Sequence, residues 1–141
     1  MTVLRAQRGD LPHAVPGPVT RTFWDGCRDG RLLFQRCRQC ATPNFAPTDR
    51  CRSCQSPELE WEESAGNGRV YSWTVVWRPA VPVFEVPYAV AIIDMDEGYQ
   101  MMSNVIDCAI DEVSTGMRVE VDFREVSDDL VLPYFRPTAT T

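Results

Sequence analysis

The amino-acid sequence predicts a mostly-β chain in two parts, a short helix leading into a metal-centred ribbon and then a small five-stranded barrel. Two observations carry that reading. Cys37-Arg-Gln-Cys40 and Cys51-Arg-Ser-Cys54 form two Cys-x-x-Cys knuckles with ten residues between them, and beyond Arg69 five apolar segments are separated by turn residues, as in a compact β domain. A third observation limits the alternatives. No apolar run approaches the ~18 residues that a membrane span requires, and 44% apolar content excludes wholesale disorder.

Taken in chain order, residues 1–18 hold Gly9, Pro12, Pro16, Gly17 and Pro18 and few large apolar side chains. They read as an extended arm, either mobile or lying along a partner. Residues 19–63 carry the helix and the ribbon. Val19, Phe23, Trp24 and Cys27 share one helical face, with Thr20 or Thr22 as N-cap and Gly30 as the stop. Leu32 to Gln35 is the strand that delivers Cys37, Pro43, Asn44, Pro47 and Asp49 supply turn chemistry, and Glu58 to Glu63 alternates as a half-exposed strand. Gly66-Asn67-Gly68 then breaks the chain.

Residues 64–137 form the barrel and 138–141 a tail. Its strands are expected at Arg69–Arg78, Tyr88–Met95, Tyr99–Ile106, Arg118–Glu125 and Leu130–Phe135, with a helical insert from Asp107 to Val113 between the third and fourth. That outline is an OB-like Greek-key barrel. Asp94-Met-Asp-Glu-Gly98 has the look of a carboxylate cluster, but a Gly-terminated run between two apolar strands reads better as a hairpin turn. Arg78 to Pro87 has three prolines and apolar Val81, Val83, Phe84 and Val86. This stiff loop either forms a docking surface or folds back over the barrel mouth.

The quartet Cys37, Cys40, Cys51 and Cys54 is expected to bind zinc, with a rubredoxin-like iron site as the alternative. Each knuckle points two sulfurs at one centre, and four protein thiolates leave no position for water or substrate, so the metal is structural. Disulfides would need an oxidising compartment. The first ten residues have no apolar stretch of signal-peptide length, so the expected compartment is the cytoplasm, where thiols stay reduced. The ribbon is too small to bury a self-sufficient core, whereas a thiolate zinc site contributes on the order of 10–16 kcal/mol. Cys27 and Cys108 read as buried core thiols.

Charge divides the chain. Residues 1–57 carry nine Arg against four acids, a net +5, while residues 58–141 carry five Arg against sixteen acids, a net −11. Arg31, Arg36, Arg38, Arg50 and Arg52 near the knuckles suit a phosphate-bearing ligand or an acidic protein face, the plain alternative being a solvated surface. A catalytic apparatus is not legible. His13 is the only histidine, lysine is absent, and neither common Gly-rich phosphate loop occurs. Single-strand nucleic-acid binding, an alternative for an OB-fold, is disfavoured by the acidic barrel half and by Tyr71 and Trp73, which strand patterning assigns to core packing.

The runs Thr22–Cys40, Cys51–Cys54, Gly68–Val76, Pro87–Asp94 and Leu132–Arg136 resemble the family of standalone proteins that join a rubredoxin-like zinc ribbon to an OB-fold, long filed as a domain of unknown function. The resemblance covers about residues 20–137. It implies a non-catalytic accessory subunit that binds a thiolase-like enzyme (a thiolase, a steroid side-chain aldolase or an acyltransferase) in a hetero-oligomer and helps form the path of an acyl-CoA thioester. Cys37, Cys40, Cys51 and Cys54 are the residues carried over. Arg36, Arg38 and Arg52 become candidate contacts to CoA phosphates, and Phe23, Trp24, Arg78, Val83 and Phe84 candidate interface residues. The family's habit of Gly after each knuckle is broken here by Ala41 and Gln55, which implies strained turns around intact ligands.

Overall fold

The computed structural model describes residues 2–139. Helix α1 (Arg21–Arg28) buries Phe23, Gly26 and Cys27. It is shorter at both ends than the expected 19–30. Thr20 occupies the cap position, but its hydroxyl accepts the Gly17 N–H at 2.9 Å and tightens the preceding turn rather than capping the helix. At the other end Gly30 takes φ +73°, which reverses the chain into the ribbon.

The ribbon is a three-stranded antiparallel sheet. β1 (Leu33–Cys37) lies between β2 (Pro43–Asn44) and β3 (Leu59–Glu63), with Gln35 opposite Asn44 and Cys37 opposite Leu59. The barrel follows as β4 (Asn67–Val76), β5 (Tyr88–Met95), β6 (Gln100–Val105), β7 (Arg118–Ser127) and β8 (Leu130–Pro137), closed in the order β4-β5-β6-β8-β7. β5 coincides with its expected bounds because its alternation is strict: Ala89, Ala91, Ile93 and Met95 point inward. Together with Val70, Met101, Val105, Val119 and Phe135 they fill the barrel.

Closure is partial. β4 meets β7 only over Asn67–Arg69, and β6 meets β8 only at Val105 opposite Phe135. Tyr71 and Trp73 are therefore 57% and 39% exposed, not packed in the core. Strand alternation alone does not reveal where a barrel wall opens.

The N-terminal arm lies on its own barrel. Leu4 exchanges backbone bonds with the 107–108 segment, donating to Cys108 O and accepting from Asp107 N–H, both at 2.8 Å. Cys108 O is an acceptor the expected helical insert would need, and Asp107 takes a left-handed φ of +62°, so the insert contracts to one 3-10 turn, Ile110–Glu112. Leu4 is fully buried and Leu11 nearly so. Gln7 clamps the Pro-rich loop with its side-chain amide, which donates to Glu85 O at 3.0 Å and accepts from Glu85 N–H at 2.8 Å. One face of that loop thus folds back, leaving Val81 and Val86 exposed. Thr138 continues the β7 pairing by donating to Arg118 O, and residues 140 and 141 of the tail lie outside the described residues.

An aromatic cluster joins the two halves. Phe45, between the knuckles, stacks on barrel Tyr99 at 5.2 Å, while Phe34 of β1 approaches the same ring at 4.9 Å. Phe23 of α1 meets Phe45 edge-on at 5.4 Å. If the arm is part of the fold, Leu4→Ala creates a cavity costing about 2–5 kcal/mol. Val15→Ala, at an exposed site, shifts stability by less than about 0.5 kcal/mol. Denaturant melts of both variants check this.

Candidate metal centre and apolar groove

The four knuckle sulfurs converge. Their Sγ atoms all lie within 4.8 Å of one another, with Cys37 to Cys54 at 3.5 Å and Cys40 to Cys51 at 3.6 Å. A tetrahedral thiolate site with Zn–S near 2.3 Å has S–S edges of about 3.8 Å, so the quartet is already of that size. Within each knuckle the first sulfur accepts backbone N–H groups. Gln39 and Cys40 donate to Cys37 Sγ at 3.4 and 3.5 Å, and Ser53 donates to Cys51 Sγ at 3.3 Å.

The thiols' proton affinities favour a cation at the centre. Cys51 is drawn down to about 6, chiefly by the Cys54 backbone N–H, against the opposing effect of burial. Cys40 is lowered by Thr42, whose hydroxyl lies 3.1 Å from its sulfur. Cys54, although the Ser56 backbone N–H favours its thiolate, is pushed up to about 12 by burial and by the other three sulfurs. Four thiolates so close cannot all ionise without a positive partner, and a divalent ion supplies it. The donor set fits zinc. Cys27 and Cys108 stay out of this chemistry, their thiols pushed by burial up to about 12 and about 11.

Two further features complete the centre. Asn44 is buried and ties the knuckles together, donating to Thr42 O at 3.1 Å and Cys51 Sγ at 3.6 Å while accepting the Arg52 N–H at 2.9 Å. Sequence reasoning placed it only as a turn residue; a buried amide between paired knuckles leaves no periodic signal. Ala41 and Gln55 adopt φ +67° and +66°. Both donate back to the first cysteine carbonyl of their knuckle at 2.9 Å. These are left-handed positions occupied by residues other than Gly.

The ribbon arginines are partly committed. Arg36 bonds both Glu62 oxygens at 3.1 Å and Ala41 O at 3.0 Å, and Arg38 lies 3.8 Å from Glu60. The Arg52 guanidinium has no carboxylate partner among the described residues. The Asp94–Gly98 carboxylates do not converge: Asp94 bonds Gln100, Asp96 bonds Arg118, and Glu97 bonds Ser64 and the Ala65 N–H. That segment is a hairpin turn, with Gly98 at φ +98°. His13 is half-exposed beside Asp129.

Where β6 and β8 diverge, a cavity of about 590 Å³ opens. Its walls come from the arm (Leu11), the helix (Phe23, Trp24), the inter-knuckle loop (Phe45 to Pro47), the Pro-rich loop (Phe84) and both strands. Of the candidate interface residues, Phe23, Trp24 and Phe84 line it, while Val83 packs against Gly9 and Arg78 is exposed. The lining holds no carboxylate, guanidinium, imidazole or thiol, and its Ser103 hydroxyl donates to Pro133 O at 2.6 Å. Its ionisable groups are the phenols of Tyr88 and Tyr134, the latter accepting the Gln7 N–H at 3.1 Å, so the wall suits apolar matter and lacks a nucleophile–base pair.

Comparison with known proteins agrees with this geometry. Residues 24–60 match the ChsH2 rubredoxin-like zinc ribbon domain, and residues 61–124 the ChsH2 C-terminal OB-fold domain. A probable enoyl-CoA hydratase alpha subunit from Thermomonospora curvata is 39% identical over 82% of this chain. The chain spans about a third of that relative's length, 36%. A DUF35 domain-containing scaffold protein from Methanocaldococcus jannaschii is 36% identical over 70% of this chain and 71% of its own. Among solved structures, an Ltp2-ChsH2(DUF35) aldolase chain superposes with TM-score 0.81 at 34% identity, covering 89% of this chain and 98% of that one. A DUF35-family protein from Sulfolobus solfataricus shares the fold at 14% identity and TM-score 0.62.

Because the left-handed knuckle positions suit Gly, Ala41→Gly and Gln55→Gly each stabilise the zinc-loaded chain by roughly 0.5–1 kcal/mol. A rise in thermal midpoint for both single variants at fixed zinc is the expected result. Gly30→Ala, at another left-handed position, lowers it.

Proposed function

The chain belongs to the DUF35 family, in which a rubredoxin-like zinc ribbon is joined to an OB-fold, and from that premise we propose that it is a non-catalytic accessory subunit of a thiolase-like, acyl-CoA-processing complex. The observation that carries the reading is the groove, a sizeable and mostly apolar cavity lined by no carboxylate, imidazole or thiol. A cavity of this kind shapes a path for a ligand whose chemistry is performed by another chain. The 34%-identical solved chain is part of an aldolase, which favours an aldolase partner over a thiolase or an acyltransferase.

In this reading the groove faces the partner and receives the acyl portion of a CoA thioester. Trp24, Phe84, Val83 and Arg78 edge the surface that meets the partner, while buried Phe23 supports it from below. The CoA phosphates fall to the basic ribbon. Arg52 is the freest contact there, and Arg36 and Arg38 would exchange Glu62 and Glu60 for phosphate. Cysteines held as zinc ligands rather than as disulfides support a reducing compartment, the cytoplasm, for the complex. The exposed Tyr71 and Trp73 favour single-strand nucleic-acid binding, but a barrel half with net −11 repels phosphates.

Co-expression with candidate thiolase-like proteins tests the proposal. A stable hetero-oligomer is expected, with acyl-CoA turnover dependent on the other chain's nucleophile and lowered roughly tenfold or more by Trp24→Asp or Phe84→Asp in this one. A chain that stays alone, or that turns over acyl-CoA unaided, would contradict it.

A further inference from the structure

One sheet edge of this molecule lacks the protection that the others have. β7, beyond its short pairing with β4, presents Asp122, Arg124 and Glu125. β3, an edge of the ribbon sheet, carries Glu60, Glu62 and Glu63, and β2, the other edge, has two residues and begins with Pro43. The free stretch of β6 is a groove wall. Charges, proline and short length are the usual devices against edge pairing.

β4 has no charge, proline or shortness from Tyr71 to Val76, its one irregularity being the bulge at Val70–Ser72, where the stretch begins. Beyond Val70, whose N–H and carbonyl bond the 116–117 turn, only β5 pairs with it, and the opposite edge has no strand partner among the described residues. The octet Val70-Tyr-Ser-Trp-Thr-Val-Val-Trp77 contains no charge in a chain with 24% charged residues. Three of its aromatics are exposed, Tyr71 at 57%, Trp73 at 39% and Trp77 at 62%. Arg69 and Arg78 bracket the octet. Arg69 donates to Gly116 O at 3.2 Å, and neither guanidinium has a carboxylate partner among the described residues.

We propose that the free edge of β4 accepts an extended segment of the partner subunit as an added strand, apolar and uncharged in its middle and carrying a carboxylate at each end. The inference rests on the accessory-subunit reading for the identity of the partner, and on the edge itself for the mode of binding. Unpaired strand backbone recognises extended polypeptide. The exposed aromatics set the apolar middle, and the two arginines, Arg69 near the start of β4 and Arg78 just past its end at Val76, set the acidic ends. A second copy of this chain is a poor occupant. Antiparallel pairing would place Arg69 against Arg78 at both ends, parallel pairing would place each against itself, and both barrel halves are strongly acidic.

The test uses the isolated zinc-loaded chain, isotope-labelled, with two synthetic ten-residue peptides of alternating Thr and Val, one ended by Glu and one by Lys, and with an oligothymidylate. The Glu-ended peptide should perturb the amides of Tyr71 to Val76 and bind about tenfold more tightly than the Lys-ended one. The exposed double variant Arg69→Glu/Arg78→Glu should invert that preference, and Thr74→Lys should weaken binding about tenfold. The proposal is overturned if neither peptide perturbs these amides up to about 1 mM, or if both bind equally. It is also overturned if the oligonucleotide or a second copy occupies the edge more tightly. These outcomes are independent of whether a thiolase-like protein co-purifies, which tests the accessory-subunit reading by itself. A hetero-complex that forms undiminished with Thr74→Lys removes the partner from this edge.

Discussion

Convergence of four thiols on one point is the constraint from which the rest of this structure follows. The ribbon has two strands of five residues and one of two around a core too small to hold them. A divalent ion among Cys37, Cys40, Cys51 and Cys54 replaces that core, relieves the repulsion among four neighbouring thiolates and closes the turns against which Asn44 is buried. Two left-handed residues without glycine, Ala41 and Gln55, are held in place by the same turns. Local strain of this kind persists where the surroundings over-determine the backbone.

The consequence reaches beyond the ribbon through Phe45. This ring sits in the loop that the knuckles define and stacks on Tyr99 of the barrel, with Phe34 and Phe23 packed against the pair. One wall of the apolar groove, Phe45 to Pro47, is therefore shaped by the metal. The opposite wall depends on a different device, the arm that uses Gln7 to hold the Pro-rich loop so that Phe84 faces the cavity. Metal and arm together give the cavity its shape. Reaction chemistry belongs to the partner in this account, and the barrel contributes a scaffold with one sheet edge left open.

The metal site, the element order and the strict alternation of β5 were legible in the residues, because ligand spacing and period-two patterning are local signals. The arm was legible only as extended chain. Leu4, Gln7 and Leu11 are spaced as a helix face would be although the arm is not helical, and the partners of Gln7 lie 78 and 127 residues away. Tyr71 and Trp73 were misplaced because alternation says which face a side chain takes, not whether a neighbouring strand is there to cover it. The helical insert failed for a related reason, since the arm claims the Cys108 carbonyl and Asp107 is left-handed. The groove assembles from six separate segments, so no motif announces it. Asn44 passed as a turn residue because its burial depends on two knuckles meeting.

The most direct test of the central claim is amide hydrogen exchange on the full chain with zinc bound and after its chelation. The account predicts that metal removal exposes the ribbon amides and, with them, those of the groove wall at Phe45 and Ala46 and of helix α1. The inward positions Ala89, Ala91 and Ile93 of the barrel should keep their protection. A groove wall that stays protected without the metal would contradict the claim that four thiolates shape the surface this protein presents.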